Sequence, residues 1–140
     1  MKSYNGFTAH QRNKAQAWLN VQWKSGALSR PAKCCSCAIT EGIIDAHAED
    51  YSEPFAAGKT DQYHLCYRCH MMLHCRYYHL SAFTAYCKAV YGGTQYRPFH
   101  KRDWATFSNS LIDITQAPVY GVSIATTNIL HNIHAGISNE

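Results

Sequence analysis

Three runs between residues 33 and 76 decide the fold: KCCSC (33–37), IIDAHAEDYSEPF (43–55) and DQYHLCYRCHMMLHCR (61–76). Cys34 and Cys37 form one C-x-x-C pair and Cys66 and Cys69 a second, with residues 38–65 between them. Two such pairs are the thiolate pattern of a tetrahedral structural zinc site. In KCCSCAITEG a tight turn would bring two cysteines to one ion, with Cys35 a bystander between the ligands. His70 and His74 are four apart in a stretch of helical pattern, so both project from one helix face. With His47 they form a candidate site for a second ion.

The composition frames that unit. With 140 residues, 46% hydrophobic and 16% charged, the chain is globular and is expected to be a single domain. It divides into a basic N-terminal helix (1–32), a metal core (33–80), supporting helices (81–116) and an apolar tail (117–140). No apolar run approaches the ~18 residues of a membrane helix. The N-terminal residues lack an apolar signal core, so a cytoplasmic protein without membrane association is expected. Seven cysteines in such a chain point to metal before disulfides.

The net charge of +4 is unevenly spread. Residues 1–40 carry six bases and no acid, residues 41–61 six acids and one lysine, and residues 62–102 six bases and no acid. Two basic flanks around an acidic middle suit a polyanion held beside a metal site. The candidate nucleic-acid contacts are Arg12, Lys14, Lys24, Arg30, Lys33, Arg68, Arg76, Arg97, Lys101 and Arg102. A solvated, mildly basic surface explains the same charges.

Thr8 and Gln11 make a capping box, Ala15, Trp18, Leu19 and Trp23 recur at helical spacing, and Ser25-Gly26 offers a stop. The spacing predicts a strand at Ile43–His47, a polar loop made irregular by Pro54 and Gly58, and a returning strand at Tyr63–Leu65. A helix follows from Tyr67 to about Tyr78, with Cys69, Met72, Leu73 and Leu80 inward. A second spans Ser81–Tyr91, closed by Gly92-Gly93, and a third Arg102–Ile112, with Trp104, Phe107 and Leu111 inward. In the tail, Tyr120, Val122 and Ile124 alternate like an edge strand. Ile129, Leu130, Ile133 and Ile137 fit a last helical turn or two.

Two other chemistries use the same letters. A C-x-x-C dithiol can be redox-active, but neither pair is expected to open a helix within a thioredoxin-like βαβ pattern. Cys66 to His70 also spells the C-x-x-C-H of haem attachment, which needs export and a distal ligand. Cys75 and Cys87 read as buried apolar fillers. His10, His79 and His100 read as surface residues or phosphate contacts, and His131 and His134 as incidental.

The strand–loop–strand–helix order, laced by C-x-x-C pairs with histidine on strand and helix, resembles the HNH (ββα-metal) nuclease superfamily. H-A-E-D-Y-S-E-P (47–54) followed by L-C-Y-R-C-H-M-M-L-H (65–74) is similar to small phage and bacterial members of the form H-H-x-D-Y-x-x-P…L-C-x-x-C-H-x-x-x-H. The resemblance covers residues 33–76. It implies an α+β fold with a zinc-stapled ββα-metal core and flanking N- and C-terminal helices. It also implies metal-dependent hydrolysis of DNA phosphodiester bonds by an endonuclease or nickase, with nucleic acid, in the first place double-stranded DNA, as the expected partner. Cys34, Cys37, Cys66 and Cys69 would hold zinc, and His47, His70 and His74 a divalent ion such as Mg²⁺, Mn²⁺, Ni²⁺ or Zn²⁺.

In that register the general-base position is Ala48, which takes no proton, and the superfamily's asparagine position is Asp61. His47 could itself be the base, with Asp45 or Asp50 joining His70 on the ion, or His64 or Glu49 could supply it. The alternative function is a zinc-dependent DNA- or protein-binding module that keeps the fold without the chemistry. A structural adaptor that dimerises through its apolar tail is a third option.

Overall fold

The structure is a computed structural model of the whole chain, and residues 1–111, 120–121 and 130 are described. Among them four helices and four short strands follow in the order α1 (Ala9–Ser25), β1 (Ile44–His47), β2 (Tyr63–Cys66), α2 (Tyr67–Cys75), α3 (Leu80–Tyr91), β3 (Thr94–Gln95), α4 (Trp104–Ser110) and β4 (Tyr120–Gly121). Strands β1 and β2 pair as one two-stranded sheet. In the other, β3 pairs antiparallel with β4, Thr94 opposite Gly121 and Gln95 opposite Tyr120. The chain is a small α+β protein that separates into two compact units: residues 1–32 with 46–64, and residues 33–45 with 65–140.

The smaller unit is built on α1. Thr8 caps it by accepting from the Gln11 amide, the Gln11 side chain accepts from the Thr8 amide, and Gly26 ends it in the left-handed region. Ala15 and Leu19 are its buried residues. Trp18 packs on Phe55 at 6.3 Å between ring centroids, and Phe7 meets Tyr51 edge-on at 5.6 Å. The polar loop after β1 is thereby folded back onto the helix by its aromatic residues.

The larger unit holds most of the apolar core. Leu65, Met72, Leu73, Phe83, Val90, Phe107 and Leu130 are fully buried. Helix α2 takes its start from Cys66, whose sulfur accepts from the Cys69 amide. Helix α3 ends at Gly92, whose amide donates to Lys88 O. The 97–101 connector is pinned from behind: Ile43 N–H donates to Phe99 O at 2.8 Å. At Gly42, where φ is +77°, a Cβ would collide with that same carbonyl.

Two inward expectations fail. Leu80 is 51% exposed because α2 stops at Cys75 and Leu80 opens α3 rather than continuing the α2 stripe. Trp104 is 54% exposed because Asp103 caps α4 through the Thr106 amide, which sets Trp104 in the first turn while Phe107 goes inward. Val122, Ile124, Ile129, Ile133, Ile137, His131 and His134 lie outside the described residues.

Candidate metal centres

The four cysteines come together in the larger unit. Their sulfur atoms all lie within 4.8 Å of one another, and Cys37 Sγ is 3.8 Å from Cys66 Sγ. Zinc–sulfur bonds of ~2.3 Å at the tetrahedral angle put sulfurs roughly 3.8 Å apart. A disulfide needs about 2.05 Å, and all seven cysteines are free.

The two pairs reach this geometry by different local routes. The first is a loop turn, with Cys34 N–H donating to Ile39 O and Ala38 N–H to Cys34 O, both at 2.9 Å. Ala38 adopts φ +66°, an uncommon left-handed position for a residue with a Cβ. The second spans a strand end and the first turn of α2. In each, the later cysteine's amide donates to the earlier sulfur: Cys37 N to Cys34 Sγ at 3.4 Å, and Cys69 N to Cys66 Sγ at 3.5 Å. The second pair opens a helix after a strand, as the order of elements in the sequence predicts, and it does so in a strand–strand–helix unit and not in a βαβ pattern. What sets it apart from a lone redox dithiol is the other pair's two sulfurs within reach.

The four thiols perturb one another strongly. Hydrogen bonds from Cys37, Cys66 and Cys69 lower the Cys34 thiol far below its usual range. The bond with Cys34 pushes Cys66 up, and burial pushes Cys69 up. A divalent ion bound here would hold all four cysteines as thiolates. The site is closed, all four cysteines being buried, as a structural ion requires. A cysteine tetrad of this geometry can hold a structural metal such as zinc. Two further groups brace it: Tyr86 OH lies 3.0 Å from Cys69 Sγ, and Gln95 Nε2 donates to Cys37 O at 2.7 Å. Neither carries a local signal in the sequence, because both arrive from α3 and β3.

On the same helix, His70 Nε2 and His74 Nε2 face each other at 3.2 Å. Two nitrogen ligands at ~2.0–2.1 Å from a tetrahedral ion lie roughly 3.3 Å apart. The other side of His70 is fixed by Asp45, whose Oδ2 is 3.0 Å from His70 Nδ1. Arg102 grips Asp45 with both arms, Nη1 to Oδ2 at 2.8 Å and Nη2 to Oδ1 at 2.5 Å. Burial raises the Asp45 pKa, but bonds from Arg102 and His70 outweigh it and hold the carboxyl well below the usual range. An ionised Asp45 only accepts, so His70 Nδ1 carries the proton and its Nε2 presents a lone pair. A carboxylate behind a histidine is the usual support of a metal-ligating imidazole. Asp45 thus stands on the opposite side of the ring from His74 and does not join His70 as a fellow ligand.

In the smaller unit, His47 is buried against Tyr4, Glu49 and Tyr63. Its Nε2 lies 3.5 Å from Tyr4 OH and 3.5 Å from Glu49 Oε1, and its ring stacks on Tyr63. Tyr4 OH donates to Glu49 Oε2 at 2.8 Å, and Asn5 Nδ2 donates to the same oxygen. Acceptor oxygens therefore face Nε2, the arrangement that favours a proton there and a lone pair on Nδ1. Ala48 beside it is buried.

Strand alternation removes one candidate base. Tyr63 shares a face with His47, so His64, the next residue, leaves the opposite face of β2. His64 instead lies 3.9 Å from Asp61 Oδ2, and Asp61 Oδ1 accepts from the Gly58 amide at 2.5 Å. Asp61 is a turn-holding residue. Asp50 likewise accepts from the amide and hydroxyl of Ser52 within its own loop.

The basic residues divide. Arg76 is buried, donating to Leu73 O and Tyr77 OH, so it leaves the set of candidate surface contacts. Arg102 is committed to Asp45. Arg12 sits over the rings of Tyr4 and Tyr51 and donates to Lys2 O. Lys14 pairs with Glu53 at 3.0 Å, and Arg30 stacks on Trp23. Lys24, Lys33, Arg97 and Lys101 are exposed. No helix among the described residues is long and apolar enough to cross a membrane. Compared with family models, curated proteins and solved structures, the chain matches none of them.

Proposed function

We propose that this protein is a divalent-metal-dependent, HNH-like phosphodiesterase that cuts or nicks DNA. In this reading His47, His70 and His74 hold the working ion, and Cys34, Cys37, Cys66 and Cys69 hold a structural zinc. The observation that carries it is the facing pair of Nε2 atoms, 3.2 Å apart, on a helix whose first turn belongs to the cysteine tetrad. His47 is assigned to the ion by the motif alone, as the first histidine of H-A-E-D-Y-S-E-P (47–54). The motif from His47 to Pro54 and the basic flanks supply the link to phosphodiesters.

A bound divalent ion would polarise the scissile phosphate and stabilise the leaving oxygen. The protein's own residues then have separable tasks. Asp45 and Arg102 hold the His70 tautomer, and Tyr4 and Glu49 hold His47. The water's proton goes to Glu49 rather than His47, because the Glu49 side chain is 23% exposed and that of His47 is fully enclosed.

One observation favours a second reading. The residue in the usual base position, Ala48, is buried and cannot take a proton. A protein of this fold without a working base would bind DNA or a protein partner and leave it intact.

Supercoiled and linear DNA incubated with magnesium, manganese or nickel separate the two. Cleavage that disappears in His70→Ala and His47→Ala, with the structural zinc retained, supports the nuclease. Intact DNA with every metal, together with salt-sensitive binding, transfers the function to the binder.

A further inference from the structure

A groove of about 440 Å³ lies wholly within the larger unit, between the 97–101 connector and α4. Arg68, Arg97, His100 and Lys101 line it, with Phe99 in its apolar wall. Among the described residues, Asp103 is the one acid that lines it. That carboxylate is engaged by Thr106, through the backbone amide at 3.0 Å and the hydroxyl at 2.6 Å. Three permanent cations therefore face one internally satisfied carboxylate.

The walls are built rather than incidental. Phe99 is fixed by the Ile43 amide and by its ring contact with Tyr67 at 5.1 Å. Arg68 lies over the rings of Tyr96 and Phe99, with its Nη2 3.4 Å from Arg97 O. A guanidinium held over two aromatic rings and bonded to a backbone carbonyl is ordered before any ligand arrives, so less side-chain entropy remains to be lost on binding. Arg97 and Lys101 extend from this frame into solvent.

We infer that this groove is a second binding site, distinct from the histidine centre, that takes phosphate groups of a nucleic-acid strand between Arg68, Arg97 and Lys101. The inference rests on the reading that the protein acts on nucleic acid. A concave channel with an aromatic wall suits a narrow chain of phosphates better than a flat anionic bilayer. It also narrows the recognition surface, since Arg76 and Arg102 are engaged elsewhere.

The test uses the full-length, zinc-loaded protein and fluorescently labelled DNA and RNA oligonucleotides, single- and double-stranded, in binding titrations across a salt series. Probe integrity is checked on a gel. Arg97→Ala/Lys101→Ala is compared with the charge-matched surface control Lys2→Ala/Lys88→Ala. Loss of two phosphate contacts is expected to weaken binding about tenfold and to reduce the slope of log K against log salt by about 1.4–1.8. The control should leave that slope unchanged, and both variants should keep the wild-type zinc content.

Equal losses in both variants would overturn the inference, because net charge alone would then explain binding. Absence of nucleic-acid binding by the wild type would also overturn it, as would groove-dependent binding to phosphatidylserine vesicles in place of nucleic acid. Failure of the catalytic reading is distinguishable. Groove-dependent binding without cleavage keeps this site and removes the nuclease, whereas cleavage that ignores the groove variant does the reverse.

Discussion

Asp45 shows how one side chain organises a site that it need not touch. It takes two bonds from Arg102 and one from His70, so its charge is satisfied and the imidazole is left with one allowed tautomer. Asp45→Asn keeps the shape but removes the charge and permits the amide to present its NH₂ to Nδ1. Titration with cobalt or nickel should show affinity at the histidine site falling about 10–100-fold, as for other second-layer partners of metal ligands. The cysteine site should still bind one zinc. An unchanged histidine-site affinity would mean that Asp45 serves only to anchor Arg102. The sequence placed Asp45 near the metal but not behind His70, because which face of an imidazole a carboxylate meets depends on how strand and helix pack.

At the scale of elements, local chemistry sets the boundaries closely. Thr8, Gln11 and Gly26 start and stop α1 as their residue types require. Thr8→Ala should cost about 1 kcal/mol, seen as a lower denaturation midpoint and faster hydrogen exchange in the first turn of α1. Zinc content should not change, since the cysteines belong to the other unit. An equal loss of zinc would show that α1 supports the tetrad after all. Helix α2 behaves differently: its cap is a candidate metal ligand, Cys66, so forming the helix and aligning the second pair are one event. Phe107 lies in the core and Trp104 does not, because a stripe three residues apart leaves open which member lies in the exposed first turn.

For the whole molecule, the tetrad would be a strong staple of the larger unit once it holds zinc. A structural zinc supplies ~10–16 kcal/mol of apparent binding energy at neutral pH, against a typical domain stability of about 5–15 kcal/mol. Removing it should therefore unfold the larger unit outright. A strong chelator is expected to abolish the slow amide exchange of α2 and α3, with recovery on adding zinc, and Cys66→Ala should reproduce the loss. Native exchange with less than one metal per chain would remove the structural role from the cysteines.

The sequence by itself determined the cysteine pairs, the i and i+4 histidines, the cap of α1 and the order strand, strand, helix. Each is a short-range pattern in which residue type and spacing act through one turn or one strand. The tertiary structure alone decided that the four sulfurs lie within 4.8 Å, that Tyr86 and Gln95 brace them, and that Asp45 with Arg102 orients His70. It also buried Arg76, turned His64 away from His47 and gathered Arg68, Arg97 and Lys101 around one groove. A charge in a sequence has a sign but no neighbour, and packing between distant segments supplies the neighbour. That is why the candidate metal ligands could be read from the chain, whereas the partners that orient them could not.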